Sequence, residues 1–272
     1  MLTMRRERRR MTVWQQWVRQ PQLVWLRKVI FQVHLWSGIG AGLYILTISL
    51  TGSVLVYRNE LYRAATPALT RGTASGPESA SVPVPGGIKA MTILLDLHDN
   101  LLAGPTGRKL NAAGALLLLL LVKTGAIIWW PGVGDWRSAV TVRRRVGWKR
   151  LIWELHRAMG FWSFGFLLLF GLTGVYLGLQ EPFHELADYL EPLTPENAGV
   201  RVGDRITYWL AYLHFGRLGG RGIPGCGRGF CESTTKVIWA VFGLIPSLLF
   251  VTGAVMWWNR VLRRRSSRDQ DS

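Results

Sequence analysis

Four stretches of the chain are apolar for about twenty residues, the length of helix that crosses the hydrocarbon core of a bilayer. They cover residues 35–57 (LWSGIGAGLYILTISLTGSVLVY), 110–130, 161–179 and 237–258. Gly, Ser and Thr recur inside all four, and such residues let helices approach closely in lipid. The β-branched side chains among them would weaken a helix in water. In lipid, however, only helices or closed barrels satisfy every backbone polar group, and no stretch has the alternating pattern of a barrel strand. The pattern therefore predicts an all-α integral membrane protein with four transmembrane helices. The first apolar run is followed by YRNELYR rather than by a small-residue cleavage site, so the first helix is read as uncleaved.

The polar segments between the spans differ in character. The segment 58–109 contains TPALTRGTASGPESASVPVPGG, whose composition reads as a flexible linker. The segment 180–236 opens with the amphipathic EPFHELADYLEPL, expected to lie along the membrane surface.

Charge adds orientation. The 272 residues are 49% hydrophobic, yet 33 Lys and Arg stand against 16 Asp and Glu, a net +17. A disordered basic tail lacks this apolar and aromatic content, and a soluble nucleic-acid binder would not carry such apolar runs, so no nucleic-acid partner is expected. Residues 1–33, 131–155 and 259–272 together carry +14, whereas 58–109 and 180–236 together carry only +1. By the positive-inside rule both termini and the central loop are cytoplasmic. The expected organisation is a basic segment 1–33, a first helical hairpin 34–130 with a flexible outer loop 58–109, and a basic loop 131–155. A second hairpin 156–258 with outer loop 180–236 and a basic tail 259–272 follow.

The two hairpins repeat one another. His34 precedes Gly38 by four residues and Thr51 by seventeen, and His156 precedes Gly160 and Thr173 by the same intervals. Leu97-His98 is followed by Leu102 and Gly104, as Leu213-His214 is by Leu218 and Gly220. Thr124-Gly125-Ala126 runs on to Trp129-Trp130, and Thr252-Gly253-Ala254 to Trp257-Trp258. The repeats have parallel topology, related by an axis along the membrane normal.

Four of the five histidines thus occupy equivalent repeat positions. His34 and His156 begin helices one and three on the cytoplasmic side. His98 and His214 precede helices two and four on the outer side. Seventeen helical residues rise about 26 Å, so the two pairs are expected on opposite faces of the bilayer. An iron centre in a planar macrocycle takes one axial ligand above and one below, and two imidazoles from facing helices provide them. The expectation is two b-type haems, one ligated by His34 and His156 and the other by His98 and His214. Gly38 and Gly160 would leave room for a macrocycle one turn from the histidine, and Arg27, Lys28, Arg157, Arg108 and Lys109 could pair with propionates. Zinc is less suited, because neither pair has an accompanying Cys or carboxylate cluster and no HExxH occurs.

The remaining polar residues carry weaker signals. His184 has no repeat partner and reads as a surface residue. Lys123 lies within the second span near the cytoplasmic Trp pair, where it could snorkel or serve the haem. The Trp pairs read as interfacial anchors. Cys226 and Cys231 (PGCGRGFCE) lie in the outer loop, where they could close a small disulfide, hold a metal clip or be unpaired thiols. No nucleotide-binding fingerprint is present.

Taken together, FQVHLWSGIGAGLYILTISLTGSVLVYRNEL, LHDNLLAGPTGRKLNAAGALLLLLLVKTGAIIWWPG, WELHRAMGFWSFGFLLLFGLTGVYLGL and LHFGRLGG followed by TGAVMWWNR resemble the PepSY-associated transmembrane family. Members are similar to inner-membrane di-haem b proteins, some implicated in reducing ferric siderophores. The resemblance implies a bacterial inner-membrane oxidoreductase of the ferric-chelate reductase type, with His34, His98, His156 and His214 as the haem ligands. The chain departs from the family in the segment 58–109, which is too short and polar for a complete PepSY domain. It shows no flavin or nicotinamide domain, so the electron donor is expected to be a separate flavoprotein or a quinol. The alternative reading is a non-enzymatic assembly or regulatory membrane protein.

Overall fold

Helices occupy nearly all of the residues that the computed structural model describes, namely 12–65, 86–132, 136–143, 145–197, 201–216 and 228–270, and no strand occurs among them. In chain order they are α1 (Val13–Arg19), α2 (Trp25–Gly40), α3 (Gly42–Leu55), α4 (Arg58–Ala65), α5 (Gly86–Asn100), α6 (Gly104–Trp129), α7 (Trp136–Ala139), α8 (Trp148–Trp162), α9 (Phe164–Gly178), α10 (Gln180–Leu190), α11 (Val202–His214) and α12 (Arg228–Gln270). Two helices are each long and apolar enough to cross a membrane: α6, and α12 over Cys231–Val261. The pairs α2 with α3 and α8 with α9 meet the same criterion when each is taken as one bent span, giving the four that the apolar pattern predicts.

Both bent pairs break at the same repeat position. The breaks fall at Ala41 and Ser163, seven residues after His34 and His156, and both pairs bend by 62°. At each break ψ returns to near zero, −2° at Ala41 and −1° at Ser163. The apolar pattern gives no sign of either bend. Around Ala41 the run Gly38-Ile39-Gly40-Ala41-Gly42 lowers helix stiffness. At Ser163 the hydroxyl bonds the carbonyl of Met159 at 2.5 Å, a back-bond that bends helices.

The interior mixes apolar residues such as Ile45, Val122 and Leu167 with small polar ones, while large apolar side chains cover the exterior. Ser49, Thr51, Ser53, Thr124, Ser163 and Thr173 are buried, whereas Leu43, Leu116, Leu172, Val241 and Leu248 on the same long helices are exposed. Small polar residues inside and large apolar ones outside are what helices surrounded by hydrocarbon require.

The chain divides into two compact units, residues 1–45, 117–168 and 245–272 in one, and 46–116 and 169–244 in the other. Each takes a part of both repeats. In the first unit a Cβ on Gly42 would fall 1.8 Å from the Phe250 ring, so that contact admits only glycine without movement of the ring. Glu154 is fully buried and accepts from the backbone N–H of Arg143 at 2.8 Å and from the guanidinium groups of Arg143 and Arg150. These bonds tie the basic segment after α7 onto α8.

In the second unit, Gly178 lies against Ala112, and a Cβ there would stand 2.6 Å from the Ala112 Cβ. Arg201, itself buried, joins α10 to α11 by bonding Asp188 at 2.5 Å and both carboxylate oxygens of Asp204 at 2.8 and 3.0 Å. Where 58–109 reads as a flexible loop, its described residues are largely helical, forming α4, α5 and the start of α6. The Ser- and Pro-rich composition dominates that sequence reading, and most of that stretch, residues 66–85, lies outside the described residues. The neighbouring GGIKAMTILLDLHDN buries Met91 and is a regular helix.

Candidate functional site

In the second unit His98 and His214 come together. Their ring centroids are 6.3 Å apart and their planes are tilted by 45°. His98 lies near the C-terminal end of α5, and His214 is the last residue of α11. The turn that follows each histidine is left-handed. Leu101 and Leu102 adopt φ of 53° and 60°, and Gly216 adopts 63°. Positive φ is unfavourable for leucine, at roughly 1–2 kcal/mol per residue, so the turn after His98 is held by its surroundings. Asn111 supplies part of that hold, donating to the carbonyl of His98 at 2.7 Å and to that of Asp99 at 3.0 Å. Trp239 performs the matching task for α11, donating its indole N–H to the carbonyl of Leu213 at 2.8 Å. Its ring packs on Gly216, where a Cβ would come within 2.7 Å of Trp239 Cγ.

Each imidazole is gripped by a threonine on another helix. In the second unit Nδ1 of His98 lies 3.0 Å from Thr51 Oγ1, and Nδ1 of His214 lies 2.8 Å from Thr173 Oγ1. In the first unit Nδ1 of His34 lies 2.9 Å from Thr124 Oγ1, and Nδ1 of His156 lies 2.9 Å from Thr252 Oγ1. In the sequence Thr51-Gly52, Thr124-Gly125, Thr173-Gly174 and Thr252-Gly253 are only markers of the repeat. The structure makes their threonines histidine partners, and the signal was the fourfold Thr-Gly itself. The roles of Asn111 and Trp239 carry no such signal, because the two residues differ chemically.

The other residues singled out by sequence fall as follows. Gly160 faces open space and Gly38 meets only Leu121 Cδ2, at 3.7 Å. Arg27 donates to the carbonyl of Ile128, Arg108 pairs with Asp99, and Arg157 lies over the Trp153 ring at 4.4 Å. Lys28, Lys109 and Lys123 are exposed, and so is His184. The Trp129–Trp130 and Trp257–Trp258 rings adjoin at 6.5 and 6.4 Å. The pairing considered for Cys226 and Cys231 has its first member outside the described residues.

An all-helical chain with apolar exteriors and internal polar grips is a membrane protein. Residues 31–90, 84–198 and 191–260 match the family described as the PepSY-associated TM region, and the chain belongs to that family. It is also similar to an uncharacterized protein of Pseudomonas aeruginosa, 31% identical over 131 residues. The match takes in 43% of this chain and 32% of the relative, so the chain spans about a third of that relative's length.

Proposed function

We propose that this protein is a transmembrane electron-transfer protein holding two b-type haems, one between His98 and His214 and one between His34 and His156. It delivers electrons to an extracytoplasmic acceptor such as a ferric siderophore, from a separate flavoprotein or a quinol. The observation that carries the reading is the 6.3 Å between the His98 and His214 ring centres. A metal–imidazole bond is about 2 Å long and the bonded nitrogen stands roughly 1 Å from its ring centre, so two axial imidazoles on one metal have centres about 6 Å apart. The donor set agrees with this spacing. A pair of imidazoles would be the two protein ligands of a haem iron, whose remaining positions the macrocycle would fill. The matching threonine contacts of His34 and His156 extend the reading to the first unit.

A bound haem supplies one-electron chemistry, its iron passing between the ferric and ferrous states. The chain's residues hold and orient it: the histidines ligate, the threonines fix the rings, and the apolar helix exteriors keep the pairs in a lipid setting. The +14 against +1 charge asymmetry supports a bacterial inner-membrane placement with cytoplasmic termini. Reporter fusions after residue 272 and within 180–236 test that sidedness.

The deciding experiment is absorption spectroscopy of the purified full-length chain with a pyridine haemochrome assay. Two haems per chain with six-coordinate, low-spin spectra are expected. A colourless, fully folded preparation would overturn the reading in favour of a non-enzymatic assembly or regulatory role.

A further inference from the structure

We infer that the threonines of the four Thr-Gly dipeptides are positioning residues for His34, His98, His156 and His214, each threonine fixing the imidazole proton on Nδ1 so that Nε2 is kept as a bare lone-pair donor. The inference rests on the haem reading for its purpose, but its geometry stands without it. Each threonine hydroxyl has one hydrogen, and in all four cases a helix carbonyl four residues earlier takes it. Thr51 donates to the carbonyl of Thr47 at 2.8 Å, and Thr124, Thr173 and Thr252 donate to those of Leu120, Leu169 and Leu248, each at 2.7 Å. Only lone pairs are then left to face the imidazole, so Nδ1 must be the donor and must carry the hydrogen. His98 provides an independent check. Its Nδ1 also lies 3.1 Å from the carbonyl of Ile48, which can only accept. A neutral imidazole protonated on Nδ1 has Nε2 free to ligate.

In three of the four dipeptides the glycine clears the space that the ring occupies. A Cβ on Gly52 would stand 2.7 Å from His98 Cε1, one on Gly125 3.2 Å from His34 Cε1, and one on Gly253 3.4 Å from His156 Cε1. The fourth case differs. A Cβ on Gly174 would instead meet Ala115, at 3.1 Å, so that glycine serves helix packing.

An N–H donated to an outer acceptor raises the basicity of a ligating imidazole, and loss of such a partner typically weakens metal affinity about 10–100-fold. The test is Thr173→Val and Thr173→Ser in the full-length protein, because Thr173 is the acceptor at His214 Nδ1, whereas the carbonyl of Ile48 would still hold the hydrogen of His98 without Thr51. Valine keeps the shape and removes the acceptor, while serine restores it. With Thr173→Val the proposed haem of the His98–His214 pair is expected to be held about 10–100-fold less tightly and to shift to a higher midpoint potential, the second haem staying unchanged. Thr173→Ser should restore both properties. Wild-type retention and potential in the valine variant, or equal loss with serine, would overturn the inference. Should the chain prove to carry no haem, the proposed function falls, and nitrogen-15 NMR of histidine-labelled full-length protein decides this inference alone. A wild-type His214 ring protonated on Nδ1 that becomes a tautomer mixture in Thr173→Val supports it, and Nε2-protonated rings in the wild type overturn it.

Discussion

Trp239 donates its indole N–H to the carbonyl of Leu213, the residue before His214, at 2.8 Å. Asn111 stands at the same place in the other repeat, thirteen residues before its Thr-Gly, and donates to the carbonyl of His98. One repeat position therefore anchors the end of both histidine helices, with an indole in one copy and an amide in the other. Trp239→Phe leaves an aromatic ring against Gly216 but removes the hydrogen bond and part of the buried indole. It should destabilise the protein by about 0.5–1.5 kcal/mol, measured by thermal melting in detergent, and should loosen the haem of the His98–His214 pair without affecting the other. Asn111→Leu should do more, because it strips the donor from two carbonyls.

The proposed haem sites make a stoichiometric prediction. His98→Ala and His214→Ala should each remove the same single haem, and the double variant should be no worse than either one. His34→Ala and His156→Ala should remove the other haem. Pyridine haemochrome counts check this. Loss of one and the same haem on substituting His34 or His98 would break the assignment.

Gly52→Ala puts a methyl group where the His98 ring now lies. Overpacking of this kind costs about 1–3 kcal/mol, and here the ring must leave its bond to Thr51. The expected result is a helical, folded protein with a depleted His98–His214 haem. Gly165→Ala is the control, since a Cβ there meets nothing within 4 Å. It should be neutral in both circular dichroism and haem content.

A pH effect should come from the junction of α10 and α11, which lies outside the membrane-spanning segments. The hydrogen-bonded Arg201 guanidinium holds the Asp204 carboxyl below its ordinary value. A carboxylate depressed in this way contributes stability above its usual pKa of about 3.9, and the contribution is lost as pH falls through the lower folded value. Melting temperature should therefore fall on acidification below roughly pH 4, and Asp204→Asn should flatten part of that fall. An unchanged pH profile in Asp204→Asn would show that this ion pair does not contribute.

Much of the fold was readable because lipid imposes simple rules on sequence. The apolar runs marked α6 and the core of α12, and the histidine repeat foretold that His98 and His214 belong together. The bends at Ala41 and Ser163 were not readable, since apolar length records the span and not the path of the backbone within it. The grip of Thr51 on His98 was hidden for another reason. It joins residues 47 apart in the sequence, and a threonine inside an apolar helix looks the same whether it packs, back-bonds or holds a ring. The helix α5 was obscured by the Ser- and Pro-rich stretch before it, whose composition overwhelms a fifteen-residue helix.

Every histidine–threonine bond lies within a single repeat: His34 with Thr124 and His98 with Thr51 in the first, His156 with Thr252 and His214 with Thr173 in the second. The approach of His98 to His214, by contrast, joins the two repeats. Each hairpin is thus a finished half that brings its own oriented imidazoles, and only the meeting of halves needs a second copy. Two separate hairpins related by a twofold axis would bring the same groups together. The chain has the logic of a homodimer held within one polypeptide, in which Asn111 and Trp239 do the same task with different side chains.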